Sequence, residues 1–545
     1  MAKFTASEKR AFQQMLSAAK NLVIADGKVD YRETTMLVGL VEPFAKIDPD
    51  CDALMKALID VRADGTITDE ESKRIVGLIG MLARKDSGLV YGIEERPPIL
   101  ETFFAALQHL LAIFVSICTP PLIIAGGLGC DDATKAYLVS MALFASGVST
   151  FVQCRRIGPI GARLLCVQGT SFQFLTPSIL AGQLGVTMAV SAAKAAGTEP
   201  GDAAAYAYGL PLVFGCCLAA APVEMVASLA FRHLRKIITP VVSGTVVMLI
   251  GLSLVKVGLI TAAGGYGSMA EGARYPFGCW QNALVAATVL LSIIGFNCFR
   301  NRYLRMSSVV LGIVLGYCVA ACFGMVHFNT PDWASINVPL PLKWGLRFNV
   351  GTIIAFGFIY LVTAIEAAGD MTANSLISGL SIDDESYAKR VSGGVLADGF
   401  NSALACVFNS FPNSIFAQNN GIIQLTGVAS RYVGYWIAGM LVLLGLFPAV
   451  GTFLSTMPDP VLGGATFLAF GMVASAGIRI VAQTPFTHKS ALVLAVSLAV
   501  GMGVELVPDV FKLLPDTLKQ IFSSGIVTGG LVAILANLVI PESKE

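Results

Sequence analysis

Two carboxylates four residues apart, Glu366 and Asp370, close a stretch that is otherwise apolar from Val350 to Ala364. That spacing puts both on one face of a helix. An acid at the centre of a bilayer costs about 2.5–3.5 kcal/mol on insertion scales, so it is retained for binding or for handling a proton. The plainer alternative is a hydrogen bond between helices with no solute contact. A further acid, Asp398, lies in Gly393-Gly-Val-Leu-Ala-Asp398-Gly399, and a carboxamide pair, Gln418-Asn419, follows Ser410-Phe-Pro-Asn-Ser-Ile-Phe416. A carboxamide donates and accepts together, although it can equally pack between helices. His109 stands in an apolar run, where a packed ring is as good a reading as a polar contact. No cysteine pair has zinc-ligand spacing and no nucleophile–base pair stands out, so neither a metal, a cofactor nor an enzyme is expected.

These residues need a membrane to give them meaning, and the composition supplies one. The chain of 545 residues is 55% hydrophobic and 13% charged, with mean hydropathy +0.72; soluble domains carry roughly 25% charged residues. Residues 1–97 hold 30 of the 73 charged side chains, so a short hydrophilic segment precedes a long apolar one. The net charge of +1 argues against a nucleic-acid partner. Most of the 12 cysteines fall in apolar runs and read as small buried hydrophobes. The charged N-terminus lacks the apolar core of a cleavable signal.

From Thr102 onward apolar runs of about 20 residues recur, enough for about fourteen spans of an all-α polytopic membrane protein. Their centres fall near Ile113, Ser140, Thr176, Ala219, Val247, Val289, Gly316, Phe358, Ser402, Ile422, Val442, Phe470, Ala495 and Gly530. Arg155-Arg156, Arg232 with Arg235-Lys236, Arg300 with Arg302 and Arg305, Lys389-Arg390 and Arg431 alternate with acidic loops, which predicts both termini in the cytoplasm. Pro240-Val-Val-Ser-Gly244 through Gly251 matches Pro460-Val-Leu-Gly-Gly464 through Gly471. By this count the two lie about seven spans apart, and an odd separation means two inverted halves; chance matching of Gly- and Pro-rich helices is the competing explanation. Two stretches read as broken helices with short β-prone segments, Gln168-Gly-Thr-Ser-Phe-Gln-Phe174 in the third span and Ser410–Phe416 in the tenth. Backbone groups freed at such breaks are where membrane carriers bind solutes.

Gln418-Asn419-Asn420-Gly421, four residues, then Thr426-Gly427 resembles the signature of the nucleobase–ascorbate transporters, also called nucleobase:cation symporters. The continuation through Arg431 to Gly434 is similar to bacterial xanthine and urate permeases. The resemblance covers roughly residues 95–541 and includes Gln108-His109-Leu-Leu-Ala112, Glu366-Ala-Ala-Gly-Asp370 and the Asp398 segment. It implies two inverted seven-span halves split into core and gate domains, a core that moves past the gate like an elevator, and a homodimer in the bacterial inner membrane. It also implies a purine bound by Glu366 and Gln418, with Phe172 or Phe416 covering its ring and Ser171 and His109 beside it. Asp370, Asp398 and Asn419 would then form the hydrogen-bonded core through which a coupled proton passes. Ser171 departs from the Asn common in xanthine-selective members, and a smaller side chain leaves room for the extra oxygen of urate.

Residues 1–88 read as a cytoplasmic helical domain similar to TerB-like domains, joined by a linker at 89–100 to a transporter domain at 101–541. Ala25-Asp-Gly-Lys-Val29 with Glu33 recurs as Ala63-Asp-Gly-Thr-Ile67 with Glu71. Asp60, Asp64, Gly65 and Glu71 fit part of a calcium loop, but Arg62, Leu22 and Ile24 stand where ligands are needed, so capping is the better reading. Two other functions fit this architecture. An anion exchanger would need a cationic half-helix site, and a purine-sensing receptor would signal through residues 1–88.

Overall fold

The computed structural model describes residues 31–45, 49–64 and most of 89–541, with single residues elsewhere. Segments 196–201, 230–238, 270–273, 300–307, 327–335, 381–384, 448–456, 483–486 and 512–524 are described at isolated positions or not at all. The chain divides into two units: residues 1–93 with 376–381 and 423–429, and the remainder.

In the first unit, α1 (Tyr31–Ala45) and α2 (Pro49–Asp64) bury Leu37, Val41, Leu54, Leu58 and Val61 in a common core. After α2, Thr68 and Glu71 form a reciprocal helix cap: Glu71 Oε2 accepts from Thr68 N at 2.9 Å, and Thr68 Oγ1 accepts from Glu71 N at 3.3 Å. Glu71 is thereby engaged as a capping residue, while Asp60 and Asp64 belong to α2. Ala25–Val29 and Gly65 lie outside the described residues. Among the described residues no cluster of His, Cys, Asp and Glu has the makings of a metal site.

The second unit is a helical bundle. Its elements in order are α3 (Ile99–Gly127), α4 (Asp132–Arg155), β1 (Gln168–Thr170), α5 (Leu175–Ala195), α6 (Asp202–Ala220), α7 (Pro222–Leu229), α8 (Pro240–Ala262), α9 (Trp280–Cys298), α10 (Ser308–Cys322) and α11 (Val350–Ile377). There follow α12 (Glu385–Val407), β2 (Asn413–Ile415), α13 (Gln418–Thr426), α14 (Arg431–Leu446), α15 (Asp459–Val481), α16 (His488–Leu506) and α17 (Gly525–Val539). Each of the expected span centres falls within one of these helices. Among the described residues eight spans are long and apolar enough to cross a membrane, and four shorter apolar helices accompany them. The chain is a multi-pass membrane protein.

Burial separates the interior helices from those that face outward. The apolar window of α4 is 83% buried, whereas those of α9 and α16 are 22% buried. On α9 the exposed residues are Trp280, Leu284, Leu291 and Ile294, and on α16 Leu492, Val496 and Val500. These form apolar outer faces suited to lipid. All 12 cysteines are free. Cys118, Cys166, Cys216 and Cys217 are buried as expected, but Cys318 and Cys322 are exposed, because α10 turns that apolar face outward.

The helices carrying the matched Pro–Gly motifs, α8 and α15, pack against one another antiparallel. Thr239 caps α8, accepting from Val242 N at 3.4 Å, and Pro240 occupies its first turn, where no amide donor is needed. A Cβ on Gly251 would lie 2.3 Å from Ala474 N and 2.7 Å from its Cα, so backbone meets backbone there. Gly251→Val should lower stability by about 1–3 kcal/mol, the usual cost of forcing extra methyl groups into a filled contact. Thermal unfolding of the purified protein measures this, with Gly439→Ala, a site with nothing within 4 Å, as the tolerated control.

Candidate functional site

The two broken helices meet through their extended segments. β1 and β2 pair antiparallel, with Gln168 opposite Ile415, Gly169 opposite Ser414 and Thr170 opposite Asn413. Phe416 N donates to Val167 O at 3.0 Å and Ser171 N to Pro412 O at 2.8 Å, extending the ladder at both ends. Two strands this short are marginal in water; inside an apolar bundle the pairing satisfies backbone groups that would otherwise be left without water or a partner. Beyond β1 a single turn at Phe172–Phe174 leads into α5, and beyond β2 the chain enters α13 at Gln418. The pair therefore brings two helix N-termini, the positive ends of their dipoles, into one region.

Around this ribbon the sequence-predicted residues fall into distinct groups. The Phe172 and Phe416 rings are stacked with centroids 6.5 Å apart and planes inclined by 29°. Half-buried Glu366, on α11, accepts a hydrogen bond from the Gln173 amide, with the Ser414 hydroxyl beside it. Ser171 is buried directly before the turn. Gln418 opens α13, half-buried, and among the described residues its side chain has no hydrogen-bond partner. A cleft lined by Phe172, Gln173, Thr176, Ser253, Phe356 and Glu505 opens alongside.

A second group lies deeper. Asp398 Oδ1 accepts from Gln168 Nε2; Asn401 Nδ2 donates to Gln168 Oε1 at 2.9 Å and to Ser149 O at 3.2 Å. Asn413 Nδ2 reaches Ser149 Oγ at 2.9 Å, which links the ribbon to α4. Asn419 does not bond Asp398: its amide donates to Leu165 O at 2.5 Å, a carbonyl shared with Asn374 at 2.9 Å. Fully buried His109 has Asn419 as its polar neighbour, with neither ring nitrogen hydrogen-bonded within the described residues. Asp370 is buried; its backbone carbonyl accepts from Asn420 at 3.2 Å, and its Oδ2 has no partner among the described residues.

Three residues of this region drew no role from the sequence. Gln168 and Gln173 fall inside the Gln168–Phe174 segment, but only pairing across 230 and 193 residues reveals what they hold. The third, Glu224 on α7, is fully buried, with neither carboxyl oxygen hydrogen-bonded among the described residues, and faces Asp398 and the Thr363 hydroxyl. Its backbone crosses α12 closely: a Cβ on Gly399 would lie 3.1 Å from Glu224 Cβ. An acid in the apolar Tyr208–Leu229 span was a readable signal.

The remaining signature residues lie elsewhere. Gly421 is exposed in α13. In the first unit, Thr426 Oγ1 accepts from Val428 N at 3.2 Å, and Gly427 O accepts from Val90 N and Tyr91 N at 2.7 and 3.0 Å. Arg431 Nε and Nη2 bind Glu94 Oε2 at 3.0 and 2.8 Å, and Arg163 Nε binds the other oxygen at 2.9 Å.

A bundle of membrane helices with paired broken segments, polar side chains gathered at the breaks and lipid-suited outer faces defines a membrane transporter. The family model Xan_ur_permease, a permease family, matches residues 100–510. The chain belongs to that permease family, and is a transporter and not an enzyme. It is 45% identical over 463 residues to the xanthine permease XanP of Escherichia coli K12, covering 85% of this chain and 96% of that one. It is 42% identical to the xanthine permease XanQ of the same strain over 84% of this chain and 94% of that one. It is also 32% identical to the uric acid permease PucJ of Bacillus subtilis, over 80% and 92% of the respective chains. The structure of murine Slc26a9, an anion transporter in the inward-facing state, shares the fold with a TM-score of 0.51 and 14% identity, covering 82% of this chain and 69% of that one.

Partial burial opposes the charge on Glu94, but hydrogen bonds and attraction from Arg431 and Arg163 outweigh it and hold the carboxyl below the usual glutamate range. A depressed folded-state value means that the stabilisation is present above the unfolded value, about pH 4.3, and is lost as pH falls through the folded one. Glu94→Gln should therefore lower the unfolding midpoint at neutral pH, with the gap to wild type closing below about pH 4. Unfolding midpoints of both proteins across pH measure the effect; a gap independent of pH would contradict it.

Proposed function

We propose that this chain imports a purine, xanthine or urate, by proton symport across the bacterial cytoplasmic membrane. The observation that carries the reading is the Glu366–Gln173 contact beside the stacked Phe172 and Phe416 rings, where two helix N-termini converge. A xanthine carries N–H donors and C=O acceptors around a flat ring. Glu366 accepts from ring N–H groups, Gln418, whose amide is uncommitted, donates and accepts, and the two phenylalanines cover the faces. Ser171, lacking the bulk of Asn, favours urate as a second substrate, and His109 is a polar contact near the site. The permease relatives named for xanthine and uric acid support the same solute class. Glu366 accepts hydrogen bonds where an anion exchanger would need a cation, which argues against that alternative.

In this reading the chain has about fourteen spans in two inverted halves. The core moves past a gate like an elevator, the protein works as a homodimer, both termini face the cytoplasm, and residues 1–88 form a TerB-like domain ahead of a linker at 89–100 and the transporter domain at 101–541. Proton coupling runs through Glu366, Asp370 and Asp398, with Asn419 holding the loop at Leu165. Glu224 joins them: two buried carboxyls that face each other without a cation relieve their repulsion by sharing a proton.

Radiolabelled xanthine uptake in cells, with urate and uracil as competitors and a protonophore control, tests the assignment. Glu366→Gln should reduce uptake at least about tenfold, equivalent to about 1.4 kcal/mol, while the protein remains in the membrane; normal uptake by that variant removes Glu366 from the mechanism. Glu224→Gln keeps the shape but fixes the hydrogens. Solute exchange should persist while stimulation of uptake by external acid is lost, and an unchanged pH profile would exclude Glu224 from coupling.

A further inference from the structure

At the end of the bundle where α3 begins, α4 ends and α14 begins, Arg96, Arg155, Arg156, Arg163, Arg431 and Tyr432 line a pocket of about 390 Å³. The transport reading gives this pocket no role. Glu94 engages two of the arginines, Arg163 and Arg431. Arg96 lies over the Tyr432 ring, 4.5 Å from its centroid. Arg155 and Arg156 have no acceptor among the described residues. Cationic charge here exceeds what one carboxylate neutralises.

An excess of arginine at one end of a membrane protein sets orientation without any binding site. That rule does not require three chain segments to aim their guanidiniums into one pocket, nor does it require the loop between α4 and β1 to be rigid. That loop is held by its own ladder: Ile157 N donates to Ile160 O at 2.7 Å and Ile160 N to Ile157 O at 3.1 Å. Gly161 N donates to Gly393 O at 2.8 Å, and Arg163 N to Gln153 O at 3.0 Å. Arg156 and Arg163 both adopt a φ of 59°, the left-handed region that non-glycine residues rarely occupy. The arginine backbones are fixed in advance of any ligand.

We propose that this pocket binds a phosphate-bearing anion, and that the anion is the headgroup of an acidic phospholipid. Guanidiniums match phosphate oxygens through paired N–H donors, and Tyr432 adds a hydroxyl. The lipid source follows from the surroundings. Exposed aromatic residues, Phe103, Phe104, Phe151 and Trp436, stand on the same helices within a few turns of the pocket. Phe103 packs edge-on against Trp436 at 6.3 Å, and Phe151 lies tilted against Tyr435 at 5.4 Å. Such aromatic residues gather at headgroup level, where a basic pocket between helices meets lipid phosphate.

The test uses the full chain and compares wild type with Arg96→Gln/Arg155→Gln, two exposed arginines outside the purine site and outside the Glu94 cluster. Unfolding midpoints are measured in nanodiscs of phosphatidylcholine with and without phosphatidylglycerol. In a second arm they are measured in detergent with inorganic phosphate or with chloride at equal ionic strength. The expected result is a rise of several degrees with phosphatidylglycerol, of which the double variant loses more than half. A rise with inorganic phosphate alone, lost in the variant, keeps the phosphate site and reassigns its source to a soluble anion. No rise in either arm, or an equal rise in the variant, overturns the proposal. Xanthine uptake is a separate readout, so this outcome leaves the transport reading untouched.

Discussion

Four carboxyl groups, those of Glu224, Glu366, Asp370 and Asp398, sit inside the bundle, and none has a cationic partner among the described residues. Burying an unpaired carboxylate is among the most costly arrangements a protein can adopt. The surrounding chemistry is organised by that constraint. Amide side chains supply what a lysine or arginine would supply elsewhere: Gln173 serves Glu366 and Gln168 serves Asp398. An amide stabilises an acid without fixing its charge, so the acid remains free to exchange hydrogen bonds with a solute or to take up a proton.

The amides reach the acids only because two distant parts of the chain are sewn together. Gln168 lies on β1 and Gln173 in the turn that follows, and β1 is held in register by β2. Asn413, on β2, contacts Ser149 of α4 through its side chain and Ser402 of α12 through its backbone. The ribbon is thus a hub joining α4, α11 and α12. Its small size follows from its setting: three residues per strand suffice when no water competes for their backbone groups.

Much of this was legible in the sequence, for identifiable reasons. Membrane helices announce themselves by length and hydropathy, so their centres could be placed one by one, and the apolar context of Glu366 and Asp370 made them conspicuous. The two broken segments were visible from their polar, aromatic and Pro-containing composition. What could not be read was pairing. That β1 and β2 form one ribbon, that Gln173 meets Glu366, and that Asn419 turns to Leu165 rather than Asp398 are facts of tertiary geometry with no local signature. Glu224 is a different case. It satisfied the same rule that singled out Glu366 but stood beside Pro222 in a short helix with no second charged residue to draw attention to it. The exposure of Cys318 and Cys322 was misread because hydropathy reports what a residue avoids, and lipid and protein interior are alike in that respect.

The antiparallel ribbon also has a mechanical consequence. Its backbone bonds run across the gap between the two breaks, so pulling one strand along its own length drags the other by shear rather than by peeling. Phe172 and Phe416, anchored at opposite ends of that short splice, are therefore geared together, and a ring lodged between them would ride with both or be released by both.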